Sequence, residues 1–193
     1  MPNINRRNLL YLMGIASVTP LLPAQTRENG KVAVAQPGES RFPFSTAEQA
    51  KLSPCKLTGE DSAGVCSTFE LSAIPQAGPA LHVHHREDEW YYVLSGKFHF
   101  KAGGVDHILP PGGSIWLPRG TPHVWTNLSE VEAKLILVCF PGGFEKFFEE
   151  MGATMAKVEP GSPNASKKMA AVFAKYGMEM LGPPLLKPMR PQH

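Results

Sequence analysis

The sequence predicts an all-β fold, a double-sheet jelly roll, followed by two short C-terminal helices. The chain has 193 residues, of which 42% are hydrophobic and 19% charged, and this composition is typical of a globular domain. Its 18 glycines and 19 prolines supply many turns, and short stretches with the pattern of strands lie between them. About nine to eleven short strands of this kind fit a double-sheet jelly roll.

The segment 1–24 is expected to be an export signal and not part of the domain. Arg6 and Arg7 precede an apolar stretch, and Ala24 ends a sequence suited to cleavage. The paired arginines resemble a twin-arginine signal, which predicts an exported, periplasmic protein. An uncleaved membrane anchor is the alternative, and a second candidate cleavage site follows Ala35.

We expect a linker over residues 25–50 that leads into the first strand, and the jelly-roll domain over residues 51–141. Residues 52–57 and 65–74 have the pattern of a hairpin. The rest of the domain is a series of short strands between glycine and proline turns, ending in the apolar run 133–140.

Two of the three cysteines, Cys55 and Cys66, flank the loop of that first hairpin. Outside the cytoplasm such a pair could form a disulfide, but the sequence does not fix the strand register, so two free thiols remain the alternative. Cys139 lies in an apolar run and is expected in a core strand.

The segment 81–96 contains side chains that suit a metal ion. His82 and His84 are two residues apart, so on a strand they point to the same face. Glu89 opens the next strand, where Tyr91 and Val93 share its face. Two imidazoles and a carboxylate from the neighbouring strand would make a three-point metal site, although a polar surface hairpin has the same pattern.

The segment 112–127 contains a candidate fourth ligand, His123. A turn glycine, an apolar strand and a Pro-x-Gly turn precede this histidine, which opens a new strand. Together the two segments resemble the paired motifs of the cupin family. The matching positions are His82, His84, Glu89 and Gly96 in the first motif, and Gly112, Pro118, Gly120, His123 and Asn127 in the second. Gln76 stands where the family often has a glycine, and we expect Gly78 to supply that turn.

The resemblance implies the cupin double-stranded β-helix, with one divalent transition metal held by His82, His84, Glu89 and His123. Nitrogen and oxygen donors suit iron, manganese, nickel, cobalt, zinc or copper, and the ligand set does not choose among them. Four protein ligands leave one or two positions open, as in catalytic metal sites. Glu89 is also a candidate general base for a coordinated hydroxyl.

Most of the chain after residue 40 resembles small bacterial cupins related to quercetin dioxygenase, including Gly-Phe-Glu-x-Phe-Phe from Gly143 and the late Gly-Pro-Pro. This implies a metal-dependent dioxygenase that acts on a flavonol or another aromatic enol, with dioxygen and a small molecule as its partners. The alternatives are a binding cupin without turnover and another cupin enzyme such as an isomerase.

We also expect a homodimer. The formal net charge of +2, without a basic tract, gives no support to nucleic-acid binding.

Further aromatic and polar side chains are candidates for the surroundings of the site. We expect only one or two of the aromatic candidates to line it, because most are needed in the core; they are Tyr91, Phe98, Phe100, Trp116 and Trp125. His85 is expected to face outward, His99 and His107 to lie at the surface or behind the ligands, and Asn127 to hold a turn.

Residues 142–193 are expected to form a helical extension. Phe144, Phe147, Phe148 and Met151 make one apolar stripe on a helix over residues 143–155. A second helix is predicted over Ser166–Tyr176, with Ser162-Pro163 or Asn164 at its start and Gly177 after its end. We expect both helices to pack outside the barrel; the alternative is that they cover its mouth or a dimer partner.

Overall fold

The computed structural model describes residues 29–159 and 162–185. These residues form three helices and ten strands. In chain order they are α1 (Ala47–Leu52), β1 (Cys55–Leu57), β2 (Ser67–Ala73), β3 (Ala80–His84), β4 (Asp88–Ser95), β5 (Phe98–Ala102), β6 (Val105–Leu109), β7 (Ser114–Leu117), β8 (His123–Asn127), β9 (Ala133–Phe140), α2 (Glu145–Met155), α3 (Pro163–Lys175) and β10 (Met178–Pro184).

The strands form two antiparallel sheets of five, which confirms the predicted jelly roll. The first sheet has the order β1-β2-β9-β4-β7, and the second has the order β10-β3-β8-β5-β6. Buried and partly exposed residues alternate along β2, β4 and β9, as expected when one face of each strand points into the core. The core between the sheets contains Phe69, Val93, Phe98, Phe100, Leu135 and Leu137.

The two predicted C-terminal helices are present as α2 and α3. Ser162 is the N-cap of α3 and its side chain accepts a hydrogen bond from Ala165 N, while Pro163 occupies the first turn. The chain after α3 continues into strand β10, which pairs with β3 so that Met178 lies opposite His84 and Met180 opposite His82. The sequence did not predict this pairing.

A short helix that the sequence analysis did not predict, α1, lies at the end of the segment expected to be a linker. Its N-cap, Thr46, accepts a hydrogen bond from Gln49 N at 3.3 Å. Six residues are too few to display a helical period of apolar side chains, and none of these six is buried.

The hairpin of β1 and β2 has a register that does not pair the two candidate cysteines. Cys55 lies opposite Phe69, and Cys66 precedes β2. Cys55, Cys66 and Cys139 are all free thiols in the described residues. Cys139 is fully buried in β9, as expected for a core strand residue.

The turn before β3 differs from the expectation that Gly78 would replace the missing family glycine. Gln76 itself adopts the left-handed conformation, with φ of 63°. Gly78 is needed for another reason, since a Cβ atom there would lie 1.8 Å from the carbonyl oxygen of Trp125. The expected signal over residues 1–24 lies outside the described residues, and no helix within those described is long and apolar enough to cross a membrane.

Candidate metal centre

Strands of both sheets bring the four predicted ligands together inside the barrel, and Glu89 arrives from the opposite sheet, not from a strand next to β3 as expected. β3 carries His82 and His84, β4 carries Glu89, and β8 begins with His123 directly opposite His82. One donor atom from each of the four lies within 4.8 Å of the others, and no side chain among them is more than 4% exposed. The cluster could therefore hold a metal ion.

The turn of the second motif is tied to the strand of the first. Gly120 has φ of 82°, a conformation that side chains with a Cβ rarely adopt, and its N–H donates to the carbonyl of His84 at 2.7 Å. This contact fixes the chain just before His123 relative to the end of β3.

The outer ring nitrogens of the three histidines are each held by a neighbouring acceptor. His82 Nδ1 donates to Ala80 O at 2.7 Å and His123 Nδ1 donates to Thr121 O at 2.9 Å, while His84 Nδ1 lies 3.4 Å from a carboxylate oxygen of Glu87. A proton on Nδ1 leaves Nε2 as the unprotonated donor, which is the usual arrangement of metal-binding histidines.

The inner donor atoms of the cluster, the Nε2 atoms and Glu89 Oε2, are placed to share a cation and not to form hydrogen bonds with one another. The Nε2 atoms of His82 and His84 face each other at 3.1 Å. Glu89 Oε2 and His123 Nε2 lie 2.9 Å apart, yet among the described residues both atoms are buried without a properly aligned hydrogen bond. Buried polar atoms that lack partners need an explanation, and a metal ion between these four donors supplies one.

Burial and mutual proximity set the charge states of the cluster. Burial lowers the pKa of His82 to about 3, with the neighbouring His123 and His84 acting in the same direction, so its ring is neutral at physiological pH. Burial alone would raise the pKa of Glu89, but the imidazoles of His84 and His123 outweigh it and lower that pKa to about 2. Glu89 is therefore an ionised carboxylate.

The other carboxylate oxygen of Glu89, Oε1, is contacted by side chains of β4 and β9. The hydroxyl of Tyr91 donates to Oε1 at 3.3 Å, and the thiol of Cys139 lies 4.0 Å from the same atom. Burial and the charge of Glu89 raise the pKa of Tyr91 well above its usual value, so Tyr91 stays a hydrogen-bond donor. Oε1 also lies 3.5 Å from His84 Nε2, while Oε2 is directed at His123.

A cavity of about 100 Å³ lies against the cluster, and apolar side chains form most of its wall. Phe144 packs against His84, with ring centres 5.2 Å apart, and Phe173 meets His82 edge-on at 5.7 Å. Besides the ligands His82, His84 and Glu89, the lining residues are Leu71, Pro79, Tyr91, Trp125, Leu137, Phe144, Phe147, Phe148, Phe173 and Met178. The described lining thus contains no Lys, Arg or Asp.

Two of the five aromatic candidates, Tyr91 and Trp125, line this cavity. Phe98 and Phe100 are buried in the core instead, and Trp116 is on the outer face of the first sheet, 50% exposed and packed on Phe140. Trp116 was expected near the site, but its strand presents Ile115 and Leu117 inward, so Trp116 must point away.

The phenylalanines of the cavity wall were not predicted from the sequence. We expected α2 and α3 to pack on the outside of the barrel, whereas Phe144, Phe147, Phe148 and Phe173 cover the mouth above the ligands. This is the alternative that the sequence left open. The apolar stripe was visible in the sequence, but a stripe does not say which surface it covers.

The polar residues near the motifs lie as expected. His85 faces outward with 55% of its side chain exposed, and His99 pairs with Asp106 on the outside of the second sheet at 2.7 Å. Asn127 is fully buried, donates to the carbonyls of Ala73 and Val131, and accepts from Ser129 N. It holds a turn and is not part of the cluster.

Residues 70–139 match the family described as the cupin domain, and this segment contains the whole cluster. The chain therefore carries a cupin domain.

The chain is 31% identical to protein SchB of Streptomyces halstedii over 77 residues. This stretch is 39% of this chain and 56% of that protein. It is 32% identical over 71 residues to quercetin 2,3-dioxygenase of Bacillus subtilis (strain 168), or 37% of this chain and 21% of that enzyme. The chain spans less than two thirds of the length of these relatives.

Similar solved structures include a predicted oxalate decarboxylase from Thermotoga maritima, with a TM-score of 0.45 and 22% identity over 46% of this chain and 78% of that one. The TT1209 protein from Thermus thermophilus has a TM-score of 0.43 and 23% identity over 57% of this chain and 98% of that one. The jelly roll itself is established by the order and pairing of the ten strands.

Proposed function

We propose that the cupin domain of this chain holds one divalent transition metal and oxygenates a small aromatic enol. The observation that carries the proposal is the position of the His82, His84, Glu89 and His123 cluster against a cavity walled by aromatic and aliphatic side chains. The similarity to a quercetin 2,3-dioxygenase supports the same reaction class.

The donor set fits such a metal, since three Nε2 atoms and Glu89 Oε2 converge while the outer ring nitrogens are held by other groups. A bound divalent metal would supply a Lewis acid for an enol oxygen and a centre for dioxygen chemistry. His82 stays neutral because of its burial, and Glu89 contributes one negative charge.

Glu89 is the residue proposed to take the proton of the substrate hydroxyl. It is ionised, only 2% exposed and shielded from solvent by the wall, so its carboxylate can act on a substrate in the cavity. The Tyr91 hydroxyl holds Oε1 and thereby sets the orientation of the carboxylate. Both oxygen atoms of dioxygen would enter the organic product.

The wall sets the substrate class. Phe144, Phe147 and Phe173 exclude water and offer flat faces to an aromatic ring. The cavity of about 100 Å³ is smaller than the ~300–1,000 Å³ of pockets for drug-sized ligands. We therefore expect a single-ring enol to be accepted more readily than a flavonol, which requires displacement of the wall.

The second candidate function is metal-dependent binding without turnover. It is favoured by the same small cavity, which would enclose a ligand beside the cluster and leave little room for a second reactant. An isomerase of sugar phosphates is less well supported, because the described lining offers no cationic side chain for a phosphate.

Oxygen uptake by the metal-loaded protein tests the proposal, with catechol-sized enols and a flavonol as substrates. We expect uptake with the small enols, and Glu89→Gln to lower the rate per bound metal by about 10²–10⁴-fold, the usual contribution of a general base. Glu179→Gln is the matched control, since Glu179 is 64% exposed.

Absence of oxygen uptake with every substrate, together with tight binding of one of them, would contradict the oxygenase and support metal-dependent binding without turnover. Undiminished uptake by Glu89→Gln at full metal occupancy would keep the oxygenase and remove the base.

A further inference from the structure

We propose that a second cavity, beside the start of α2, binds a small zwitterion that carries an ammonium group and a carboxylate. This cavity has a volume of about 630 Å³, within the ~300–1,000 Å³ range of ligand pockets. Its lining shares no residue with the lining of the cavity at the metal cluster. It is called here the arm cavity, because Lys31 and residues 41–43, from the segment before α1, contribute to its wall.

The arm cavity is held open by contacts within the protein, since three segments of the chain meet there. The segment before α1 is fixed to the loop between β1 and β2, because Arg41 Nε and one terminal nitrogen donate to the two carboxylate oxygens of Asp61 at 3.0 and 2.7 Å. The same loop packs directly on the turn from β9 to α2, where a Cβ atom at Gly59 would lie 2.5 Å from Gly143 N. The site is therefore formed before any ligand arrives, as is usual for ligand pockets.

The charges of the arm cavity are matched except at two neighbouring residues. The lining contains three carboxylates and three cationic side chains. Within the described residues, Glu145 and Lys146 form no ion pair. The other four form two pairs, which are Lys31 with Glu60 and Arg41 with Asp61. The cavity thus offers a ligand one negative and one positive group.

Glu145 is the group that favours a cation in the cavity. It is only 3% exposed, and its carboxylate accepts hydrogen bonds from Gly59 N at 3.0 Å and from the Ser67 hydroxyl at 2.5 Å. A carboxylate has about four acceptor positions, so these two bonds leave room for a further donor. A buried carboxylate without a cation is costly, and an ammonium group of a ligand would offset that cost.

The other lining groups favour an organic cation with a negative end. Among the described residues, the group of three or more candidate metal ligands is the one at His82, so the arm cavity does not have the donors of a metal site. Phe42 contributes a ring that suits an ammonium group and its carbon chain. Lys146 is exposed and follows Glu145 on α2, where consecutive side chains point about 100° apart. Its ammonium group is therefore placed to meet the other, anionic end of the ligand.

Calorimetric titration of the full chain with three probes of similar size tests the proposal. The probes are γ-aminobutyrate, which has both charges, butylamine, which has the cation alone, and butyrate, which has the anion alone. We expect γ-aminobutyrate to bind most tightly, butylamine to bind more weakly, and butyrate not to bind. The measurement requires no oxygenation, so its outcome does not depend on the function proposed for the metal centre.

Two variants assign the two ends of the ligand. Glu145→Gln retains an acceptor for Gly59 N but removes the charge, and we expect it to lower the affinity for butylamine at least about tenfold. Lys146→Ala should lower the affinity for γ-aminobutyrate about two- to fivefold, as for an exposed ion pair, and leave that for butylamine unchanged. Lys168→Ala is the matched control, because Lys168 is exposed on α3 and outside the lining.

Absence of saturable binding of both amines at millimolar concentrations would overturn the proposal, as would a wild type that binds butyrate most tightly. Circular dichroism verifies that the variants fold. If Glu145→Gln does not fold, Lys146→Ala decides the question, since equal affinity of Lys146→Ala and Lys168→Ala for γ-aminobutyrate would contradict the assignment.

Discussion

The two sides of the cavity are built by different parts of the chain and in different ways. The ligand side consists of polar residues on the barrel strands β3, β4 and β8, and backbone carbonyls hold His82 and His123 in place. The wall side owes its phenylalanines to the C-terminal extension, where they contact one another and the ligand rings, and barrel residues such as Leu71 and Leu137 complete it. In the proposed function, the ligand side would determine what ion binds, and the wall side would determine what reaches it.

This difference has a physical consequence. Polar ligands need defined directions, which a strand register supplies to within a fraction of an ångström. An apolar wall needs only volume and contact, so its residues can change with the substrate while the ligands stay. The two sides should therefore respond to mutation in separate ways.

The largest expected effect is on stability and comes from Phe144→Ala. Phe144 is 4% exposed and packs against His84, Phe147 and Phe148. Removing a buried ring costs about 3–5 kcal/mol in the free energy of unfolding, measurable by urea denaturation. We expect the folded variant to bind metal with the stoichiometry of the wild type and to accept bulkier enols.

Phe144→Leu is the conservative control and should lose much less stability, since most of the apolar volume remains. Loss of metal from folded Phe144→Ala would contradict the separation, because it would make the wall a support of the ligands.

The next effect is on metal binding and comes from His84→Ala. This substitution removes one of four ligands, so we expect the metal affinity to fall more than about 100-fold. The loss should exceed that caused by removing a residue that only holds a ligand in place. Elemental analysis after dialysis should find metal near zero. His85→Ala is the matched control on the next residue, whose side chain is 55% exposed, and it should keep full metal content. Equal metal content in the two variants would remove His84 from the site.

The smallest expected effect comes from Tyr91→Phe, which deletes the hydroxyl that donates to Glu89 Oε1. Loss of a partner behind a ligand typically lowers metal affinity about 10–100-fold, and calorimetric titration with Co²⁺ measures it. Tyr92→Phe is the matched control, because Tyr92 points to the outer face of the same strand. Unchanged affinity and an unchanged Co²⁺ absorption spectrum in Tyr91→Phe would show that the hydroxyl does not orient the carboxylate.

The ligand side could be predicted from the sequence because its information is local. His82 and His84 share a face through the two-residue period of a strand, and the turns at Gly96 and Gly120 fix where the next strands begin. The cupin motifs then connect the two segments. The strands also follow from local pattern, and β9 has the predicted bounds of residues 133–140.

The wall side could not be predicted in the same way, because its position depends on contacts between residues that are distant in the sequence. The stripe of Phe144, Phe147 and Phe148 predicts a buried helix face, but the surface under it is set by the packing of α2 on the barrel. Trp116 was misplaced because its direction depends on which residues of a four-residue strand face inward. The pairing of Cys55 with Phe69 likewise depends on a bulged register between β1 and β2 that no local pattern encodes.

Strand β3 has its longest pairing with a strand that is made late during synthesis. It meets β8 only where His82 lies opposite His123, and its long partner is β10, from His84 opposite Met178 to Ala80 opposite Pro184. The ribosome completes all four ligands with residue 123, yet β3 keeps an open edge of unpaired backbone groups until residue 184 emerges. The ligand strand is therefore fully paired only after residues 178–184 have been made, and a chain that stops before Met178 would present this strand to other nascent chains.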